Sequence, residues 1–424
     1  MPSSVTAPRR RRAATPARET AYTVLRRVFE HGAWADRALH AAAGGLPPRE
    51  RALATQLAYG AVQRRATLDH VAAQLAGRPV EELDPPVRAA LRLGLFQMLY
   101  LDGVPDHAAV DSSVALAHRD APRAAGLVNA VLRRAARERP VFDDATPDGA
   151  ALAHSVPLWL AERWFAELGA TEARALLAAI NEPAESALRA NTLVTTRDEL
   201  LAHLDGHAAD ADPDAVVLDS PFDANGHPLF GAGAYQPQSR ASQRVARAVD
   251  PQPGERVLDL CAAPGGKTTH LAALMEGRGS VVAVERHSGR ANQLVRTVAR
   301  LRADGVVRVE QADAADPRTD GPFDRVLVDP PCSGLGTLQS RPDRRWHATP
   351  DAPLDLQARI LDTAAAVTAR RLVYSTCTIS RAENEGQVAA FLQRHPDFAL
   401  SGEHVTLPHR DRTDGFYIAT LDRV

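Results

Sequence analysis

The feature of this sequence that most restricts its fold is an alternation that begins near Ser239 and runs to the C-terminus. Short apolar runs, RVLDL (256–260), SVVAVE (280–285), VVRVEQAD (306–313), FDRVLVD (323–329) and RLVYSTC (371–377), read as strands. Several are separated by stretches of helical character, such as SGRANQLVRTVARLRA and RAENEGQVAAFLQRH. Apolar strands alternating with helices predict a mostly parallel, doubly wound α/β sheet covered on both faces. GFYIATL (415–421) is expected to close one edge.

The first strand runs into a Gly/Pro turn, Cys261-Ala262-Ala263-Pro264-Gly265-Gly266-Lys267, that opens the helix GGKTTHLAALM. Such a turn presents free backbone N–H groups at the carboxyl end of a strand, where open α/β sheets bind ligands. It also holds Lys267, the only lysine among 50 Lys+Arg residues, which points to a specific task for that amine. Acids mark the strand ends: Asp259, Glu285, Asp313 and Asp329. In a Rossmann-like unit an acid about 20 residues past the turn accepts from a ribose hydroxyl, and Glu285 has that spacing. Asp313 could accept from an adenine amino group. One such acid alone reads as a solvated strand end; four together favour a ligand. The turn is neither G-x-G-x-x-G nor a Walker loop, so a pyrophosphate is not expected. A nucleoside without phosphates, such as S-adenosylmethionine, suits an acidic rim.

Cys261, Cys332 and Cys377 are the three cysteines, each in a turn after a strand-like run. An odd count argues against a disulfide framework and for a reducing cytoplasm. DPPCSGLGT (329–337) sets Asp329 and Cys332 on a Pro-Pro turn. STCTISRAENE (375–385) sets Cys377 before an expected helix start, a setting that lowers a thiol pKa. Neighbouring strands would bring both thiols to one crevice. No His or further Cys is spaced to complete a zinc site, so no metal is expected.

A chain of 424 residues has room for two or three domains. Residues 1–139 hold 21 Arg against 13 Asp+Glu, a net of +8 on a chain whose total is −2. A basic front end suggests a polyanionic partner, although an arginine-rich solvated surface has the same composition. Residues 1–16 read as a basic disordered tail, with Arg9 to Arg12 available to phosphates. No apolar h-region follows, and no apolar run approaches the roughly 18 residues of a membrane span, so neither secretion nor a membrane is expected. Residues 17–140 are helical: Val87, Leu91, Leu95 and Met98 line one face, and breaks fall at Gly44-Gly45, Pro47-Pro48 and Pro85-Pro86. ELDPPVRAALRLGLFQMLYLDGVP, HAAVDSSVALAH and GLVNAVLRRAARE, in that order, resemble the antitermination factor NusB, which implies RNA contact. Residues 141–238 read as a Pro-containing acidic linker, two helices in which Trp159 and Trp164 pack, and a small α+β subdomain. Within it DGHAADADPDA (205–215), acidic and poor in large apolar residues, reads as a loop. Residues 239–424 form the α/β domain.

CAAPGGKT, DPPCSGLGT, STC followed by ENE, and a terminal DGFY (414–417) together resemble the RNA cytosine-5 methyltransferases of the Sun/Fmu/NOL group. The resemblance implies S-adenosylmethionine at Cys261 to Lys267, Glu285, Asp313 and Asp329. It implies Cys377 as nucleophile and Cys332 as the thiol that assists product release. Asp329 and Lys267 complete the candidate catalytic set on chemical grounds: Asp329 is placed to hydrogen-bond or protonate N3 of the base, and three tasks are open to Lys267, to hold the base, the ribose or a strand-end carboxylate. Small-subunit (16S) ribosomal RNA is the expected substrate; transfer RNA or another RNA is the alternative. DNA and an obligate protein partner are not expected. Cysteine after Asp-Pro-Pro removes the aromatic platform of an amino-group methyltransferase, and the second thiol speaks against a DNA cytosine-5 enzyme. A non-catalytic RNA-binding assembly factor would not need both thiols, the lysine and the acids. Arg341, Arg344, Arg345 and Trp346, in RPDRRW, could track the RNA backbone or form a surface loop.

Overall fold

The computed structural model describes residues 14–209, 211–220 and 222–424. Most of the expected N-terminal tail, Arg9 to Arg12 included, lies outside them. The chain divides into two compact units, Met1–Asn181 with Arg341–His347, and Glu182–Ser340 with Ala348–Val424. The helical segment expected over 17–140 and the helices that follow it to residue 179 all lie in the first unit. Residues 140–155 are not simply a linker, because they contain the helix Pro147–His154, started by Thr146, whose side chain accepts from Gly149 N–H. That helix and the next two, Leu158–Leu168 and Ala170–Ala179, belong with the helical unit. Trp164 is fully buried there, as packing required.

In the helical unit, seven α-helices run from Pro16–His31 to Ala125–Ala135. Pro85–Tyr100 is buried on nearly every side rather than along one stripe, with Val87, Leu91, Leu95 and Met98 all in the core. Gly60 permits the close approach of the helix Pro48–Gln63: a Cβ there would stand 1.9 Å from the Phe96 ring. Arg92, buried on Pro85–Tyr100, is held by a two-pronged pair with Asp69 at 2.6 and 2.8 Å and lies over the Phe29 ring.

The expectation that RPDRRW tracks RNA fails for Arg345 and Trp346. Arg345 is fully buried and donates to the carbonyls of Ser155 (3.1 Å) and Ile180 (3.3 Å) and to Asn181 Oδ1 (3.1 Å). Burial lowers its guanidinium pKa to about 9. The Trp346 indole donates to the Val62 carbonyl at 2.6 Å, and Asp343 Oδ2 accepts from Ala35 N–H at 2.7 Å. A guanidinium that satisfies carbonyls at the ends of helices is not available to phosphates. Among the described residues no helix is long and apolar enough to cross a membrane.

The second unit contains two sheets. In the smaller, β1 (Ala187–Ala190), β2 (Gly206–Ala209), β3 (Asp212–Leu218) and β4 (Tyr235–Pro237) pair antiparallel in the order β2-β3-β1-β4. The expected loop at 205–215 is thus a β2–β3 hairpin. Two of its acids are matched from outside: Asp212, 2% exposed, takes a two-pronged pair from Arg244 at 2.7 and 2.9 Å, and Asp214 takes Arg247 and His270. Those partners lie 32 to 56 residues away, so composition alone could not reveal the strands.

The larger sheet contains β5 (Arg256–Asp259), β6 (Ser280–Val284), β7 (Val307–Glu310), β8 (Phe323–Val328), β9 (Thr368–Thr376), β10 (Phe398–Thr406) and β11 (Phe416–Arg423). Their order is β10-β11-β9-β8-β5-β6-β7, with β5 to β9 parallel and the last two antiparallel. Successive strand residues alternate between two cores: Leu258, Val282, Val326 and Leu372 on one face, Val257, Val281, Leu327 and Val373 on the other. That period of two explains runs that are apolar throughout. The last strand does not close the edge as expected. β11 is interior, and β10 is the edge. Seven of the nine β10 residues are not buried, so its sequence lacks an apolar signature.

Candidate active site

Strand order turns at β5, which has β6 and then β7 on one side and β8 and then β9 on the other. In an open α/β sheet, ligands bind at the carboxyl ends beside such a switch point. Asp259 ends β5, Glu285 follows β6, Asp329 follows β8 and Cys377 follows β9.

On the β5–β6 side the chain folds back on its own carboxylates. Asp259, 1% exposed, accepts from Thr268 Oγ1 at 2.7 Å, a bond that ties the strand end to the first turn of the helix Gly266–Leu274. Burial raises its carboxyl to about 6, with the Asp329 charge acting in the same direction. Gly265 has φ +105°, and a Cβ there would meet Leu294 at 2.8 Å, so the turn requires glycine. Glu285 is buried; it accepts from His287 N–H at 2.8 Å and meets Arg290 at 3.3 Å. Arg290 also donates to the Ala263 carbonyl at 2.8 Å, which fixes the turn to this acid. Asp313 accepts from Ala315 N–H and lies 3.8 Å from Arg286; its contacts are not to the turn. Burial first, then the neighbouring carboxylates, raise the Cys261 thiol well above its usual range.

On the β8–β9 side the contacts are long-range. Lys267 Nζ pairs with Asp329 Oδ2 at 2.7 Å and lies 5.1 Å from the Phe416 ring centre. Of the three tasks open to this amine, the structure gives it the strand-end carboxylate. Burial acts most strongly and would lower its pKa; the charge and hydrogen bond of Asp329, with Cys377 and Asp259, together outweigh it, and the net shift is upward. Asp329 Oδ1 accepts from Ser375 Oγ at 3.1 Å. Cys332 and Cys377 lie with their sulfurs 3.4 Å apart. The hydrogen bond to Cys377, then burial, raise the Cys332 thiol well above its usual range, so it stays neutral near pH 7. The helix after Cys377 starts only at Glu385, so the expected helix-start setting for this thiol is absent. Its neighbours are instead a second thiol and the Gly336 N–H, which donates to the Cys377 carbonyl at 3.0 Å. A Cβ on Gly336 would lie 1.8 Å from the Gly415 carbonyl, and Gly415 N–H donates to Gly336 O at 2.8 Å. The DPPCSGLGT, STC and DGFY segments therefore interlock through backbone. Among the described residues no group of three or more His, Cys, Asp or Glu side chains could hold a metal ion.

The sequence reading missed Ser333, Gln357, Thr378 and Glu383, which join the two thiol loops, and Arg290, which joins Glu285 to the turn. Ser333, Thr378 and Glu383 lie inside the motifs, but nothing in the sequence assigns Glu383 of ENE a task. Nothing in the sequence around Gln357 singles it out.

A sequence profile of the 16S rRNA methyltransferase RsmB/F family matches residues 246–422, one of the NusB family residues 15–137, and one of the RsmF/B-like ferredoxin-like domain residues 156–225. The ribosomal RNA small subunit methyltransferase B of Thermus thermophilus is 37% identical over 97% of this chain and 99% of its own length. The probable enzyme of that name from Synechocystis is 36% identical over 96% of this chain and 99% of its own. The chain belongs to the RsmB/F family. The crystal structure of PH0851 superposes on 98% of this chain and all of its own, with 26% identity and a TM-score of 0.83. Another, of a methyltransferase homolog from Pyrococcus horikoshii, covers 65% of this chain with a TM-score of 0.57. S-adenosylmethionine is the methyl donor of the RsmB/F family. The residues present fit it: buried Glu285 and partly exposed Asp313 carry carboxylate oxygens that could accept from hydroxyls and amines, and the adjoining turn is tight and uncharged up to Lys267.

Proposed function

We propose that this chain methylates C5 of a cytosine in RNA, with 16S ribosomal RNA as substrate, through a covalent bond from Cys377 to C6 of the base. The observation that carries this reading is the pair of thiols 3.4 Å apart beside the Lys267–Asp329 ion pair. Cytosine C5 is a weak nucleophile. Thiolate addition at C6 breaks the 5,6 double bond and leaves C5 enamine-like, which divides one difficult step into easier ones. As negative charge develops at N3 on addition, Asp329, held by Lys267 and Ser375, passes N3 a proton that the Lys267 ammonium supplies. The Cys261–Lys267 turn, with Glu285 toward the ribose and Asp313 toward the adenine, would hold S-adenosylmethionine, which would supply a methyl group to C5 and be left as S-adenosylhomocysteine. Loss of the C5 proton then rebuilds the double bond and expels the Cys377 sulfur, with Cys332 assisting. A base stacked inside a helix cannot reach thiols at a strand end, so the target is unpaired or flipped out. The NusB-like helical unit supports RNA as the partner.

The test has two arms. Cys377→Ser should abolish 5-methylcytosine, by about 10³-fold or more, whereas Cys332→Ala should leave a protein–RNA adduct on a denaturing gel. An adduct in Cys377→Ser and none in Cys332→Ala would exchange the two roles. Bisulfite sequencing of 16S ribosomal RNA from cells with and without this protein should show one cytosine that depends on it; loss confined to transfer RNA would move the substrate there.

A further inference from the structure

Glu383 has no part in the chemistry above, yet its burial and contacts require explanation. It is fully buried, and a buried carboxylate is costly unless its lone pairs are met. Three neutral donors converge on it. Ser333 N–H donates to Oε2 at 2.9 Å, Gln357 Nε2 donates to the same oxygen at 3.1 Å, and the Ser333 hydroxyl donates to Oε1. Ser333 Oγ also lies 2.6 Å from Thr378 Oγ1. Ser333 follows Cys332, and Thr378 follows Cys377. One carboxylate therefore engages the residue after one thiol directly and the residue after the other through a single hydroxyl.

The arm that carries this carboxylate is fixed to β9. The Tyr374 hydroxyl donates to the Glu383 carbonyl at 2.7 Å, and Asn384 accepts from Thr376 Oγ1 and donates to the Thr378 carbonyl at 3.1 Å. Cys377 extends directly from that strand. Cys332 sits four residues beyond the end of β8, on a loop held on one side of the thiol by Ser333 on Glu383 and on the other by the Pro331 carbonyl, which accepts at 3.0 Å from the same Gln357 Nε2 that donates to Glu383. The side whose placement depends on Glu383 is thus the Cys332 side.

We infer that Glu383 is a positioning residue that sets Cys332 against Cys377, so that product release depends on it more than attack does. The inference rests on the assignment of Cys377 as nucleophile and Cys332 as the releasing thiol. An amide at this position keeps the shape but turns one acceptor into a donor, which faces either the Ser333 hydroxyl or the Gln357 amide. Misplacement of a reacting group by about an ångström costs on the order of 10²-fold.

The experiment uses the full chain, an unmodified 16S ribosomal RNA transcript and tritium-labelled S-adenosylmethionine, with Cys332→Ala as the reference for trapped adduct. Glu383→Gln should lower turnover about 10- to 100-fold, raise the labelled adduct per turnover severalfold, and leave the KM for S-adenosylmethionine unchanged. Ser333→Ala, which keeps the backbone donor and folds more safely, should change both quantities in the same direction by less. Adduct per turnover is the deciding quantity, because a loss of folded enzyme lowers adduct and product together. Wild-type adduct per turnover in both variants overturns the positioning role, whatever their melting temperatures. Wild-type protein that makes neither adduct nor 5-methylcytosine overturns the function proposed above, and this inference with it.

Discussion

The two sides of the strand-end crevice are built differently. On the β5–β6 side the carboxylates are satisfied mainly within nine residues of themselves: Asp259 by Thr268, Glu285 by His287 and Arg290, Asp313 by Ala315. On the β8–β9 side the partners are 45 to 62 residues apart: Lys267 with Asp329, Ser375 with Asp329, Cys332 with Cys377, Ser333 with Glu383. A locally built rim is preorganised as soon as strand and turn form. A rim built from distant segments exists only when the sheet has assembled in the right order. The proposed site for the cofactor sits on the first, and the proposed covalent chemistry on the second.

Three substitutions test that contrast, in addition to those at the thiols and at Glu383. Lys267→Met cuts the ion pair that joins the sides. It should lower turnover about 10²-fold and destabilise the fold by about 1.5–3 kcal/mol, read from steady-state rates and urea denaturation. A variant with the wild-type rate would mean that the sides work without this bridge. Asp259→Asn sharpens the local side through pH. The folded-state carboxyl is raised to about 6 from 3.8, so the folded chain binds the extra proton between those values. Stability from this group is therefore lost as pH rises from about 4 to 6. Wild type should lose about 2–3 kcal/mol relative to Asp259→Asn between pH 4 and 7; parallel stability curves would show that Asp259 stays ionised throughout. Glu285→Gln should have the smallest effect, a rise of about 10-fold in the Kd for S-adenosylmethionine by calorimetry, with the adduct of Cys332→Ala still formed at saturating donor. Loss of that adduct would mean that the cofactor side also holds the thiols.

Legibility followed the same division. The turn from Cys261 to Lys267, the acids at the strand ends and the parallel core could be read because each depends on spacing along one segment. The hairpin at Gly206–Ala209 and Asp212–Leu218 could not, because its acids are acceptable in strands only where Arg244 and Arg247 meet them. β10 escaped because an exposed edge strand need carry no apolar alternation, and its pairing with β11 supplies what its side chains do not. RPDRRW was misread in part because basic and aromatic residues have one appearance in sequence and two uses, and Arg345 and Trp346 are committed to helix-end carbonyls.

The sequence by itself determined the alternation of strands and helices from β5 to β9, the glycine turn with its single lysine, and the motifs that hold both thiols. Periodicity and turn chemistry act within a few residues, which is why they suffice for those features. Only the tertiary structure decided that Lys267 meets Asp329, that the sulfurs of Cys332 and Cys377 come within 3.4 Å, and that Glu383 joins their loops. The first requires β5 and β8 to lie side by side and the other two β8 and β9, pairings set by the packing of the whole sheet.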